Sequence, residues 1–213
     1  MCSLLHEGNR FGVSVLAQGQ TGLSDYFARR GPGGVEPEFF MMRETTLVEG
    51  ALAHLGDVDV WFGNAGIDPG DGLASTDEQW AQAWDVNVMA HVRAAHALLP
   101  DWLERGRGRF VSTVSAAGLL TMIGAAPYSV TKHGAYAFAE WLSLTYRHRG
   151  VKVHAICPQG VRTDMLDATG SAGDLVLKPT AIEPRDVADA LFKGIAEDRF
   201  LILPHPEVAG YYQ

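Results

Sequence analysis

At 213 residues the chain is long enough for one domain with a substantial core, and 20% charged beside 47% apolar residues is ordinary for a globular protein and far from disorder. Twenty-five acidic residues against seventeen basic ones give a net charge of −8, which argues against a nucleic-acid backbone or an anionic membrane surface as partner. No apolar stretch reaches the roughly 18 residues of a membrane span and no signal-peptide pattern begins at Met1, so the expected compartment is the cytoplasm.

Short apolar runs read as buried parallel strands at Phe11 to Ala17, Val35 to Met41, Val58 to Phe62, Gly108 to Val114, Val151 to Cys157 and Phe200 to Leu203. Between them the pattern predicts helices over 44–55, 76–103, 127–148 and 184–197. Ser75-Thr76-Asp77-Glu78 is a helix start signal, and Pro184 opens the last helix. Such alternation predicts one α/β domain over 1–213: a doubly wound, mostly parallel, Rossmann-like sheet in three α/β/α layers. Cys2 and Cys157 make no disulfide framework, and Cys157 is expected to be a reduced core thiol at a strand end. The eight histidines lack metal-ligand spacing, so no metal is expected.

Tyr128 and Lys132 stand four residues apart in a predicted helix, and so share one face. A cation there stabilises phenolate, and this predicts a tyrosine pKa drawn down from about 10 towards the range of a general acid/base. The strand GRFVSTVS ends at Ser115, whose hydroxyl can hydrogen-bond a carbonyl oxygen. These three residues suit proton transfer to a carbonyl that receives a hydride from elsewhere. Tyr and Lys at this spacing also suit a plain amphipathic helix.

Further along the chain stand Asn64-Ala65-Gly66 after the apolar run VDVWFG, Asn87 inside a predicted helix, and Pro158, Gly160 and Thr163 in PQGVRT after a strand. Taken singly, these are also what a turn or an exposed polar position would use. In this order and at these separations, the set resembles the short-chain dehydrogenase/reductase family over roughly residues 47 to 204, about three quarters of the chain. The resemblance implies an NAD(P)-dependent oxidoreductase that interconverts an alcohol and a ketone or aldehyde. It implies that Tyr128 is the acid/base, Lys132 lowers its pKa and holds the nicotinamide ribose, Ser115 orients the carbonyl and Asn87 completes the proton relay. It further implies that Asn64, Ala65 and Gly66 lie against the adenosine ribose, and that Pro158, Gly160, Val161 and Thr163 face the nicotinamide, Val161 through its backbone. The partners implied are a small-molecule alcohol or carbonyl substrate and a second copy of the chain, as a homodimer or homotetramer. The segment Ala116 to Ala126, with Leu119, Leu120, Met122 and Ile123, would line the substrate pocket or simply pack the core. Residues 164–180 have the composition of a substrate lid.

The amino terminus departs from the family pattern, because no TGxxxGxG turn follows a first strand. Two readings remain open. In one, LLHEGNRFGVSVLAQ corresponds to the end of the family's first helix and its second strand, and the first strand and glycine turn are absent. In the other, Phe11 to Ala17 is the first strand, GQTG is a degenerate turn, and a later strand–helix unit is missing. Either reading predicts impaired binding of NAD or NADP, and the Ala17-Gln18 pair gives no preference between them. The alternative to an enzyme is a non-catalytic or cofactor-deficient binding protein on a truncated scaffold of this family.

Overall fold

The computed structural model describes residues 11–13, 48, 57–70, 72–169 and 175–211. The predicted strand at Val35 to Met41 and the GQTG segment lie outside these residues, as does the helix at 44–55 apart from buried Val48. Five parallel strands form one sheet in sequence order: β1 (Phe11–Val13), β2 (Val60–Gly63), β3 (Gly108–Thr113), β4 (Val151–Ile156) and β5 (Leu201–Ile202). β3 and β4 each end one residue short of their apolar runs, and the next residues, Val114 and Cys157, stay fully buried and donate to the Ile156 and Ile202 carbonyls, both at 2.9 Å.

β1 pairs directly with β2, Phe11 opposite Val60. Phe11–Val13 therefore fills the place beside the strand that leads into Asn64, and the sheet runs from β1 to β5 without a break. That is where the second reading of the amino terminus puts a first strand. A sheet closed up around the loss of a strand would look the same.

Helices bounded within the described residues are α1 (Asp77–Trp84), α2 (Ala90–Arg105), α3 (Ala126–Tyr146), α4 (Asp164–Asp167), α5 (Pro184–Ala196) and α6 (Val208–Tyr211). Thr76 caps α1 reciprocally with Gln79, each side chain accepting from the other's backbone N–H. Pro184 occupies the first turn of α5, where its missing N–H costs nothing. The single helix predicted over 76–103 is broken: a π-helical turn, Asp85–Met89, separates α1 from α2 and contains Asn87.

Strand alternation sorts the core into two layers. Trp61, Phe110, Val151, Val153 and Ala155 join Ala94, Leu98 and Trp102 of α2 and Ala139 and Leu142 of α3 in one buried cluster. Val111, Ile156 and Ile202 face the other way, onto Val187, Leu191 and Ile195 of α5. A doubly wound three-layer architecture follows from this two-sided burial. Trp102 also donates from Nε1 to the Val58 carbonyl at 2.6 Å, which satisfies its one polar atom in the core. Among the described residues no helix is long and apolar enough to cross a membrane.

The turn into β4 tolerates only glycine. Gly150 has φ +87°, and a Cβ there would sit 1.9 Å from the Gly106 carbonyl oxygen, a backbone atom that cannot rotate aside. Gly150→Ala is expected to cost about 3 kcal/mol or more and to lower the melting temperature by about 10 °C. An alanine variant that melts within about 2 °C of wild type would show that this approach is not tight.

Candidate active site

Three strand ends on the same side of the sheet supply the candidate residues, the side on which open α/β sheets bind ligands. Asn64 follows β2, Ser115 follows β3 and Pro158 follows β4. Asn64 is buried and its Oδ1 accepts from Thr113 Oγ1 at 2.9 Å, which ties the first strand end to the second. The Ala116 N–H donates to the Pro158 carbonyl at 2.7 Å and ties the second to the third. Asn64, Pro158 and Val161 line one small cavity of about 30 Å³, closed by Val187, Ala188 and Leu191 of α5. A larger groove of about 700 Å³ lies elsewhere, between the end of α3 and Phe200, and contains none of the candidate residues.

Tyr128 and Lys132 project from successive turns at the start of α3, and both are buried. The Lys132 Nζ lies 5.6 Å from the centre of the Tyr128 ring and donates to the Thr113 carbonyl at 3.0 Å. That carbonyl is its one hydrogen-bond acceptor among the described residues, so two ammonium protons have no acceptor there. Gly66 makes room for this arrangement: a Cβ at that position would stand 2.9 Å from Nζ and 3.5 Å from Asn87 Oδ1.

Asn87 is fully buried in the π-helical turn. Its Oδ1 accepts from the Ile67 N–H and its Nδ2 donates to the Ile67 carbonyl, both at 2.9 Å, so it pairs with the loop after Asn64-Ala65-Gly66. Nδ2 also donates to Thr131 Oγ1 at 2.9 Å, and that hydroxyl passes its own proton to the Pro127 carbonyl at 2.7 Å. The π turn thus carries a buried amide that is paired on both sides with one peptide of the loop.

Ser115 has φ +87°, a costly conformation for a side chain with a Cβ. Its hydroxyl is close enough to Tyr128 to pull the phenol's pKa down, and Oγ accepts from the Ala117 N–H at 3.2 Å. Val161 forms a parallel bridge with Ile182, and Thr163 Oγ1 donates to the Val161 carbonyl at 3.2 Å.

The predicted fall in the tyrosine pKa is not what this site produces. Burial pushes Tyr128 up to about 12; the Ser115 hydroxyl pulls against this, and the negative charge of Asp68 adds to it. Burial also brings Lys132 down to about 8, opposed by Cys157. Taking a charge out of water outweighs the mutual stabilisation of the pair. At neutral pH the site holds a neutral phenol beside a mostly protonated amine. Two further residues escaped sequence reasoning. Asp68 acts electrostatically on Tyr128 and is held by the Gly70 N–H at 3.0 Å. His91 lies fully buried behind β2 and β3, with Nε2 3.3 Å from Ser112 Oγ. A carboxylate directly after NAGI is the signal that could have found Asp68.

The short-chain dehydrogenase family model matches residues 42–173. Over 169 residues the chain is 33% identical to 1-deoxy-11-beta-hydroxypentalenate dehydrogenase of Streptomyces exfoliatus, a match covering 76% of this chain and 60% of that protein. It thus spans about three fifths of the length of that relative. Among solved structures, a short chain dehydrogenase/reductase from Burkholderia phymatum in complex with NAD superposes with a TM-score of 0.80 at 25% identity, covering 98% of this chain and 93% of that one. A short-chain dehydrogenase from Sphingobium yanoikuyae in complex with NADPH gives a TM-score of 0.76 at 24% identity, covering 94% and 80%.

Proposed function

Because the chain belongs to the short-chain dehydrogenase family, we propose that it is a nicotinamide-dependent oxidoreductase that interconverts an alcohol and a ketone or aldehyde. The observation that carries this reading is the buried Lys132 ammonium, set between Tyr128 and Gly66 with a single acceptor among the described residues. An isolated buried ammonium is costly, and hydroxyl oxygens of a ribose would satisfy its two remaining protons. Asn64, Ala65 and Gly66 would hold the adenosine half of NAD or NADP. Pro158, Gly160, Val161 and Thr163 would hold the nicotinamide half; the NAD bound to the structural relative from Burkholderia phymatum supports a nicotinamide cofactor. When bound, the nicotinamide supplies or takes up the hydride.

The chain's own residues manage the proton. In the reducing direction Ser115 donates a hydrogen bond to the substrate oxygen, and Tyr128 passes its phenolic proton to that oxygen as the charge develops. Lys132 stabilises the phenolate left behind, and Asn87 fixes the loop and helix that hold the pair. The neutral phenol favoured by burial is the form this direction needs. Met122, packed with Ala117, Ala125 and Tyr128, and the neighbouring Leu119 and Leu120 suit a substrate with an apolar surface. Titration of the purified protein with NADH and with NADPH, followed by nicotinamide fluorescence, tests the reading. Absence of binding to both at millimolar concentration would overturn it.

The active unit is proposed to be a homodimer or larger. Trp84, Met89, Val130, Trp141 and Leu144 are all more than a third exposed along the α1–π turn and α3, with Trp84 lying against Gly134. Sedimentation at micromolar concentration is expected to give at least a dimer. A clean monomer of 23.0 kDa would refute this.

A further inference from the structure

We infer that His205 is a positioning residue for the loop of Pro158 to Val161, pinning it to the segment that leads into α5. This deepens the proposed function and rests on it, since that loop is the proposed nicotinamide-side wall. His205 follows β5 and is only 2% exposed, although it lies in a tail with no catalytic motif. The Gln159 N–H donates to its Nδ1 at 3.1 Å. With Nδ1 accepting, the ring proton sits on Nε2, which donates to the Thr180 carbonyl at 3.2 Å. One neutral imidazole thereby bridges two segments distant in sequence.

The rest of the loop's bonding shows what this bridge controls. On one side the Ile182 N–H donates to the Gly160 carbonyl at 3.1 Å, and the Arg162 N–H donates to the Ile182 carbonyl at 3.0 Å. These bonds fix Gly160 to Arg162 beside the bridge between Val161 and Ile182, and the Ala116 N–H holds the Pro158 carbonyl, so the Gln159 amide between them is held by His205. Gly160 also passes close to the upstream segment, where a Cβ would stand 2.5 Å from the Leu177 carbonyl oxygen. The Val161 N–H has no acceptor among the described residues and is the free donor the loop can offer a ligand amide. His205 grips the chain two residues before that donor, and through Thr180 it grips the segment packed against it. Its loss would let the donor move relative to the strand end at Ile156 without touching any group that contacts substrate.

The two bonds can be removed separately. His205→Leu removes both, His205→Asn places an amide oxygen near the Nδ1 position, and His205→Gln places an amide nitrogen near Nε2. Amide exchange at Gln159 in the free protein and the dissociation constant for NADH or NADPH are the two readouts. In His205→Leu the Gln159 amide is expected to exchange about tenfold faster or more, and dinucleotide affinity to fall about tenfold, with kcat at saturating dinucleotide little changed. His205→Asn should restore both readouts to within about threefold of wild type, whereas His205→Gln should not restore exchange protection. Unchanged Gln159 exchange in His205→Leu overturns the inference. So does an asparagine variant as impaired as the leucine one, because the effect then follows side-chain packing and not the acceptor. If wild type binds neither dinucleotide, the proposed function fails, and the exchange comparison still decides whether His205 holds the loop.

Discussion

Replacing Tyr128 with phenylalanine is expected to reduce turnover by about a thousandfold or more, because the one transferable proton within reach of the substrate oxygen is lost. The fold should barely notice: the ring stays in the same buried site, and the loss of one hydroxyl's hydrogen bonding costs about 1 kcal/mol. Thermal unfolding within a few degrees of wild type would confirm that the chemistry alone was removed. More than a few per cent of wild-type activity would take Tyr128 out of the mechanism. Lys132→Ala completes the test. With its pKa brought down to about 8, Lys132 is the group that loses its charge at mildly basic pH, so the basic limb of the rate profile should shift in the alanine variant. A variant that is slower but keeps an unchanged profile would exclude the lysine from activating the phenol.

How far such a site can be read from sequence depends on which physical quantity each feature reports. β3 and β4 are legible because both of their faces are buried, so nearly continuous apolar runs survive in GRFVSTV and VKVHAIC. The α3 helix is legible because Tyr128 and Lys132 fall on the turn spacing of a regular helix. The π turn at Asp85–Met89 is not legible, since a one-residue insertion leaves the apolar period nearly intact on either side. Its one trace is an asparagine where a helix would rarely choose one. Trp84 is 40% exposed, which helical spacing does not show, because spacing alone gives no information about what covers a helix face. The direction of the tyrosine shift failed for a different reason. Sequence shows the neighbouring charge but not the burial, and burial sets the sign here. His205 is not legible either, because a lone histidine in a tail carries no periodic or spacing signal at all.

Stability should fall steeply as the pH drops below about 6.5, driven by two histidines buried as neutral rings. His91 packs edge-on against Phe110, and Gly63 leaves it space; a Cβ there would stand 2.5 Å from Nδ1. Burial brings its pKa down to about 3, with the Lys132 charge adding to the effect. His154, at 1% exposure, donates from Nδ1 to the Arg199 carbonyl and meets the Arg109 guanidinium with its other nitrogen. Burial brings it down to about 4, against the Arg199 bond and with the help of Arg109. Both folded pKa values lie below the 6.5 of an unfolded chain, so between them the unfolded state binds more protons than the folded one. Each histidine then removes about 1.4 kcal/mol of stability per pH unit of acidification, starting at 6.5 and ending at its folded pKa. Together they should cost about 4 kcal/mol by pH 5, a large share of the stability of a domain this size. Asp68 works with the opposite sign: burial raises its pKa, so it adds stability as the pH falls through that raised value towards the 3.8 of an unfolded carboxylate. Urea unfolding from pH 7 to pH 5 checks the sum, and His154→Gln should halve the slope. A stability that stays level over that interval would mean the rings are hydrated or already charged in the folded protein.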